Sequence, residues 1–184
     1  PRLERRMRGR THPVDDFLFE YYPFSPAKLA TWHPGLGVTL LGQTSQFTSR
    51  GDYVQHRDGV TVDTSALDAK RDRLELALRL LDGTQQRPAV TGCFGLHEWA
   101  MVYRLSPEEI RHADQPLRLS PESIAATVDE IGLRCTHIDA FRFFTPQAIP
   151  LNSVVPTRAT QPDLEQQGCL HANMDLYKLS LIHI

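Results

Sequence analysis

No apolar run in this chain approaches the roughly 18–20 residues that a membrane-spanning helix needs, which argues against a membrane protein. The Arg-rich start is not followed by an apolar stretch, so nothing there reads as a secretion signal. Cysteine is scarce: Cys93, Cys135 and Cys169 are too few and too scattered for a disulfide framework, and their number is odd. A cytoplasmic protein of a reducing compartment is the resulting expectation. G-x-G-x-x-G, Walker A, G-x-S-x-G and C-x-x-C are all missing, which removes dinucleotide, P-loop and common hydrolase readings. A surplus of one charge is missing too. Lys+Arg total 20 against Asp+Glu 22, whereas wrapping much nucleic acid takes clustered cations. There is no repeat of solenoid period and no low-complexity tract.

What is present suffices for one core. The 184 residues are 41% hydrophobic and 23% charged, ordinary values that exclude wholesale disorder. The first ten residues (PRLERRMRGR) form a basic arm, suited to a solvated helix face or to phosphate contact. An aromatic run, HPVDDFLFEYYPF, follows, and Ser25-Pro26 reads as an N-cap and first-turn proline for a helix to Trp32. Residues 38–41 suit a short strand, and Arg57-Asp58-Gly59 a hairpin tip before a strand at 60–62. Leu67, Leu74, Leu78 and Leu81 recur at helical spacing, predicting a helix from Thr64 to Leu81 that Gly83 ends. Further helices are expected at 96–104, after Ser106-Pro107, from Ser120-Pro121 to Ile131, and from Gln161 or Glu165 to Tyr177. Residues 133–144 (LRCTHIDAFRFF) alternate in the manner of a strand or an extended active-site segment. The fold class expected is α+β, mostly α-helical with a few short strands. Residues 1–10 form the arm, 11–178 a single globular domain and 179–184 (LSLIHI) a non-native tail, so the chain reads as truncated at both ends.

Three segments share a composition: GCFGLHEWAMVYR, RCTHIDAFRFF and GCLHANMDLYK. Each cysteine precedes a histidine by two to four residues, and each histidine has a carboxylate one to four residues on. Imidazole beside carboxylate serves acid–base catalysis or metal binding. The catalytic candidates are therefore His97, His137, His171, Glu98, Asp139 and Asp175. The alternative is a zinc or non-haem iron centre on His97, His137 and His171, in an enzyme acting on a small metabolite. His171 and Asp175 share a helix face at i,i+4, with Lys178 three residues further on. The H-E pair lacks the second zincin histidine, since Met101 stands there. Trp99, Tyr103 and Phe141 are candidates for stacking a flat base, although core packing is the more ordinary use of such aromatics. Arg142, Arg158 and Lys178 are candidate anion contacts. A third possibility is a non-catalytic binding module in which these polar clusters are structural.

The string HPVDDFLFEYYPFSPAKLATWHPG, together with the three segments just quoted, resembles a bacterial family, frequent in actinobacteria, labelled 3-methyladenine DNA glycosylase. The resemblance covers most of residues 10–178. It implies hydrolysis of the N-glycosidic bond of a damaged base, with Glu98, Asp139 or Asp175 as the working carboxylate and Trp99 or Phe141 against the base. DNA contact would run through residues 1–10. LSLIHI departs from the family pattern, where helical sequence continues, and no helix–hairpin–helix glycine loop is present.

Overall fold

The computed structural model describes residues 2–12, 15–16, 25, 27, 30–65, 67–111 and 116–181. The aromatic run at 17–24, most of the helix expected after Ser25 and the last three residues lie outside them. The described architecture is mostly helical, with one three-stranded antiparallel sheet. Chain packing divides it into two units, residues 71–176 and residues 1–70 with 177–184. Among the described residues no helix is long and apolar enough to cross a membrane.

In the unit containing the N-terminus, α1 (Arg2–Met7) is too short to hold by propensity alone. Ion pairs do part of the holding: Arg2 Nε lies 2.7 Å from Asp16 Oδ1, and Arg5 pairs with Asp15. Strands β1 (Thr39–Leu41), β2 (Tyr53–His56) and β3 (Gly59–Val62) order as β1-β3-β2. The hairpin tip falls at Arg57-Asp58 as the sequence indicates, with Arg57 in the left-handed region at φ 50°. Gly59 is required by space, since a Cβ there would run into the Leu40 carbonyl. Phe47, on the one-turn helix α2 (Ser45–Thr48), packs with Tyr53 and Val60 as a small core.

The second unit opens on α3 (Arg71–Gln86), which starts seven residues later than the leucine spacing predicts and passes through Gly83. The stop signal is overruled because Gly83 serves packing. A Cβ there would sit 2.5 Å from Arg87 Nη1 and 2.8 Å from the Pro162 carbonyl, so α7 (Gln161–Leu164) can lie against α3 only at glycine. The helix expected at 96–104 contracts to α4 (Leu96–Ala100), and Ser106-Pro107 opens only a single 3-10 turn. Helix α5 (Pro121–Ile131) is as predicted: Ser120 Oγ accepts the Ser123 N–H, and Gly132 closes the helix at φ 74°.

Residues 133–144 are not a strand. The backbone is extended only as far as His137, with one parallel bridge between Leu133 and Asn152, and then turns into α6 (Ile138–Phe141). A side chain supplies what a neighbouring strand would. Asn152 Oδ1 accepts the Cys135 N–H at 2.7 Å, and Nδ2 donates to the Cys135 and Val154 carbonyls at 2.8 and 2.7 Å. The expected final helix is broken as well, into α7 and α8 (Leu170–Leu181). Arg87 Nη1 caps the break by donating to the carbonyls of Pro162 and Glu165 at 2.6 and 3.0 Å. Leu96, Tyr103, Val128, Leu133, Phe141 and Phe144 form the core that fixes these short elements. Burial of each such side chain is worth about 1.5–3 kcal/mol.

Candidate functional site

The break between α7 and α8 turns Glu165 inward, where it meets His137 at the start of α6 and Asp175 on α8. Their side chains are 1%, 3% and 14% exposed respectively. His137 Nδ1 accepts the Asp139 backbone N–H at 3.1 Å, capping α6. A neutral imidazole so placed carries its proton on Nε2, which donates to Asp175 Oδ2 at 3.0 Å. Gln161 stands across this pair. Its Nε2 lies 2.8 Å from Asp175 Oδ2, 3.2 Å from Glu165 Oε2 and 3.2 Å from His137 Nε2. Arg158 Nη1 donates to the Gln161 carbonyl oxygen at 2.9 Å, so the amide nitrogen is the end that faces the carboxylates. Arg158 also pairs with Asp139, closing a polar ring that runs Asp139, Arg158, Gln161, Asp175 and His137.

Burial holds the Glu165 carboxyl above its ordinary range, against the pull of His137 and the Gln161 hydrogen bond. Its Oε1 is buried without a hydrogen-bond partner, as is Nδ1 of His171. His171 is held down to about 4, first by burial and then by the nearby His97 and His137, so it is neutral at pH 7.

All three histidines of the shared composition come together. The His171 ring centroid lies 4.8 Å from that of His97 and 5.4 Å from that of His137. Their nitrogens do not close on one point. Among the described residues, the set whose ligand atoms lie within 4.8 Å of one another is His137, Glu165 and Asp175. Even that set fits a cation poorly. The Gln161 amide nitrogen occupies its middle, and the His137 nitrogen facing it carries the proton. The arrangement has the parts that proton transfer uses: a carboxylate orients an imidazole, and beside them stands a second carboxyl that burial makes harder to ionise.

Of the other candidates, Glu98 is largely exposed, with Oε1 3.3 Å from His97 Nε2. His97 Nδ1 lies 3.1 Å from Cys93 Sγ. Asp139 contributes its backbone N–H to His137, while its carboxylate is turned to Arg158 and Arg142. Arg142 also sits over the Phe143 ring. Tyr103 and Phe141 are spent on the core, Tyr103 2% exposed and bonded to Asp129, and Trp99 packs against the same cluster. Lys178 belongs to the other unit. The shared composition does not include Glu165 or Gln161. Their sequence signal is an i,i+4 spacing that brackets Pro162.

No protein-family model, curated protein or solved structure matches the chain.

Proposed function

We propose that the chain is a hydrolase of the acid–base type, in which Asp175 orients His137 and Glu165 acts as a protonated acid. One observation carries the reading: two carboxyl groups and an imidazole share a buried hydrogen-bonded cluster, with one carboxyl raised above its ordinary range by burial and the other accepting two hydrogen bonds. Environments that separate two carboxyls in this way assign one as acid and one as partner to a base. Glu165, whose hold on its proton burial strengthens, supplies the proton that a departing nitrogen base needs, and His137, with its Nε2–H held on Asp175, takes one from water at Nδ1 in exchange for the Asp139 N–H. The resemblance described above makes the N-glycosidic bond of a methylated purine the first substrate to test. A metal-dependent reaction at the same residues is less well supported, because the His137 tautomer and the Gln161 amide both oppose a cation.

The test uses the full chain with duplex DNA carrying 3-methyladenine, and follows base release with and without a chelator. Release that survives the chelator and falls about 100-fold or more in Asp175→Asn supports the reading. Chelator-sensitive release overturns the metal-free mechanism. Intact chain that releases no base from the damaged duplex at any concentration overturns the substrate assignment. Exposed Arg6, Arg8 and Arg10 next to α1 are the cations the arm offers to DNA. Removing residues 1–10 should flatten the slope of log affinity against log salt by up to about 3, at roughly 0.9 per phosphate contact.

A further inference from the structure

The hydrolase reading leaves the three cysteines unused, yet all three line one cavity of about 230 Å³ with His97 and Gln166. Cys93 is half-buried, and its sulfur lies 3.1 Å from His97 Nδ1. The far side of that ring, Nε2, is 3.3 Å from Glu98 Oε1, which places a carboxylate, an imidazole and a thiol in line. Cys135 is buried behind Cys93, in the cluster against which Cys93 packs. Its thiol donates to the His137 carbonyl oxygen at 3.5 Å and lines the same cavity as Cys93. Such an arrangement exceeds what packing requires. Apolar cysteines need neither an imidazole at hydrogen-bond distance nor a second thiol on the same cavity wall.

We propose that this cavity is a thiol–disulfide exchange site for small disulfides, with Cys93 as the attacking sulfur, Cys135 as the resolving one and His97, oriented by Glu98, as the proton carrier. The cavity is sized for a low-molecular-weight disulfide, and Cys93 is the thiol of the pair that is open to it.

Cys93 thiolate attacks one sulfur of the bound disulfide. A new S–S bond forms to Cys93, the old one breaks, and the departing thiolate takes the proton from the His97 imidazolium. Neutral His97 then accepts the Cys135 proton, and the Cys135 sulfur attacks Cys93 Sγ. The second thiol leaves, and the Cys93–Cys135 bridge remains. The protein dithiol has lost two electrons, and the small disulfide has become two thiols. The charge state suits the roles. The hydrogen bond from Cys135, opposed by burial and aided by His97, brings the Cys93 thiol down to about 4. Contact with the Cys93 sulfur, and then burial, push the Cys135 thiol up, which keeps it protonated until it is needed.

The experiment treats the reduced full chain with 2-hydroxyethyl disulfide and follows intact mass, with peptide mapping of the product. The expected wild-type product is a Cys93–Cys135 bridge that carries no adduct. Cys135→Ser should stop at a stable mixed disulfide on Cys93, and Cys93→Ser should lose both products. His97→Gln should slow adduct formation at pH 6 by about 10-fold or more, since the sulfur loses the partner that keeps it ionised. Glu130→Gln, exposed on α5 and away from the cavity, should react like wild type and serves as the folded control. A wild-type chain that never bridges, a Cys93→Ser chain that reacts as fast as wild type, or trapping in Cys169→Ser in place of Cys135→Ser would each overturn the proposal. None of these readouts depends on glycosidic hydrolysis.

Discussion

Two polar clusters lie within the same unit and differ in what their surroundings allow. Around His137 the groups form a ring in which nearly every donor has an acceptor, and the side chains of His137 and Glu165 are almost sealed. Around His97 the set is shorter and faces a cavity, with Glu98 in solvent at one end and Cys93 at the other. Burial seals the first cluster and raises one carboxyl above its ordinary range. Partial exposure leaves the second charged and accessible. The first therefore reads as machinery that positions and transfers a proton, and the second as a nucleophile with its base. His171 stands against both rings, neutral and with a buried Nδ1, so each cluster retains an uncharged neighbour.

The largest effect that would break this contrast is structural. Asp175→Ala strips the acceptor from both His137 and the Gln161 amide, and should cost about 3–5 kcal/mol in chemical denaturation, as expected when one member of a buried charged network is removed. Glu98→Ala, on the exposed side of His97, should stay within about 1 kcal/mol. Equal losses at the two positions would erase the distinction between sealed and open clusters.

A smaller effect sharpens the electrostatic half. Glu165 is raised in the folded protein, so between its ordinary value of 4.5 and its folded value the native state binds a proton that the unfolded chain has released. Its contribution is complete below 4.5 and is lost as the pH rises through the folded value. Glu165→Gln abolishes that dependence. Relative to the parent, the variant should gain stability from pH 4.5 up to the folded value and then level off, which paired melts from pH 4 to 8 would show; parallel curves would mean that Glu165 is not raised.

The smallest of these effects is kinetic. A Cys93 thiol at about 4 is ionised throughout pH 5–8, so its alkylation by iodoacetamide should be nearly flat across that range. An ordinary thiol near 8.5 gains about 10-fold per pH unit over the same span. Such a climb at Cys93 would place it with the packed, unreactive cysteines.

How far the sequence revealed these features follows from whether each signal is local. The cap at Ser120, the stop at Gly132 and the hairpin at Arg57-Asp58 are decided by neighbouring residues, and all are legible. Gly83 misleads because its reason is 79 residues away, at Pro162. Residues 133–137 look like a strand since they are extended, but their partner is the Asn152 side chain, which no alternation pattern encodes. In the site, the recurring Cys/His/carboxylate composition picks out residues that do gather, namely His97, His137, His171 and Asp175. Glu165 and Gln161 carry no such composition. They enter the cluster because Arg87 holds the chain at the break between α7 and α8, a contact from 75 residues away that leaves no local mark.

The central claim is that His137 is a proton-transfer residue whose Nε2–H is held on Asp175, and the most direct test is the tautomer itself. Long-range proton–nitrogen correlation spectra of histidine-labelled protein at pH 7, with His137→Gln for assignment, report which ring nitrogen is protonated. The account predicts a proton on Nε2 and a bare, hydrogen-bond-accepting Nδ1, unchanged when zinc, manganese or ferrous iron is added. A His137 protonated on Nδ1, or one whose Nε2 signal shifts or broadens on titration with one of those ions, would contradict it and make the cluster a metal centre.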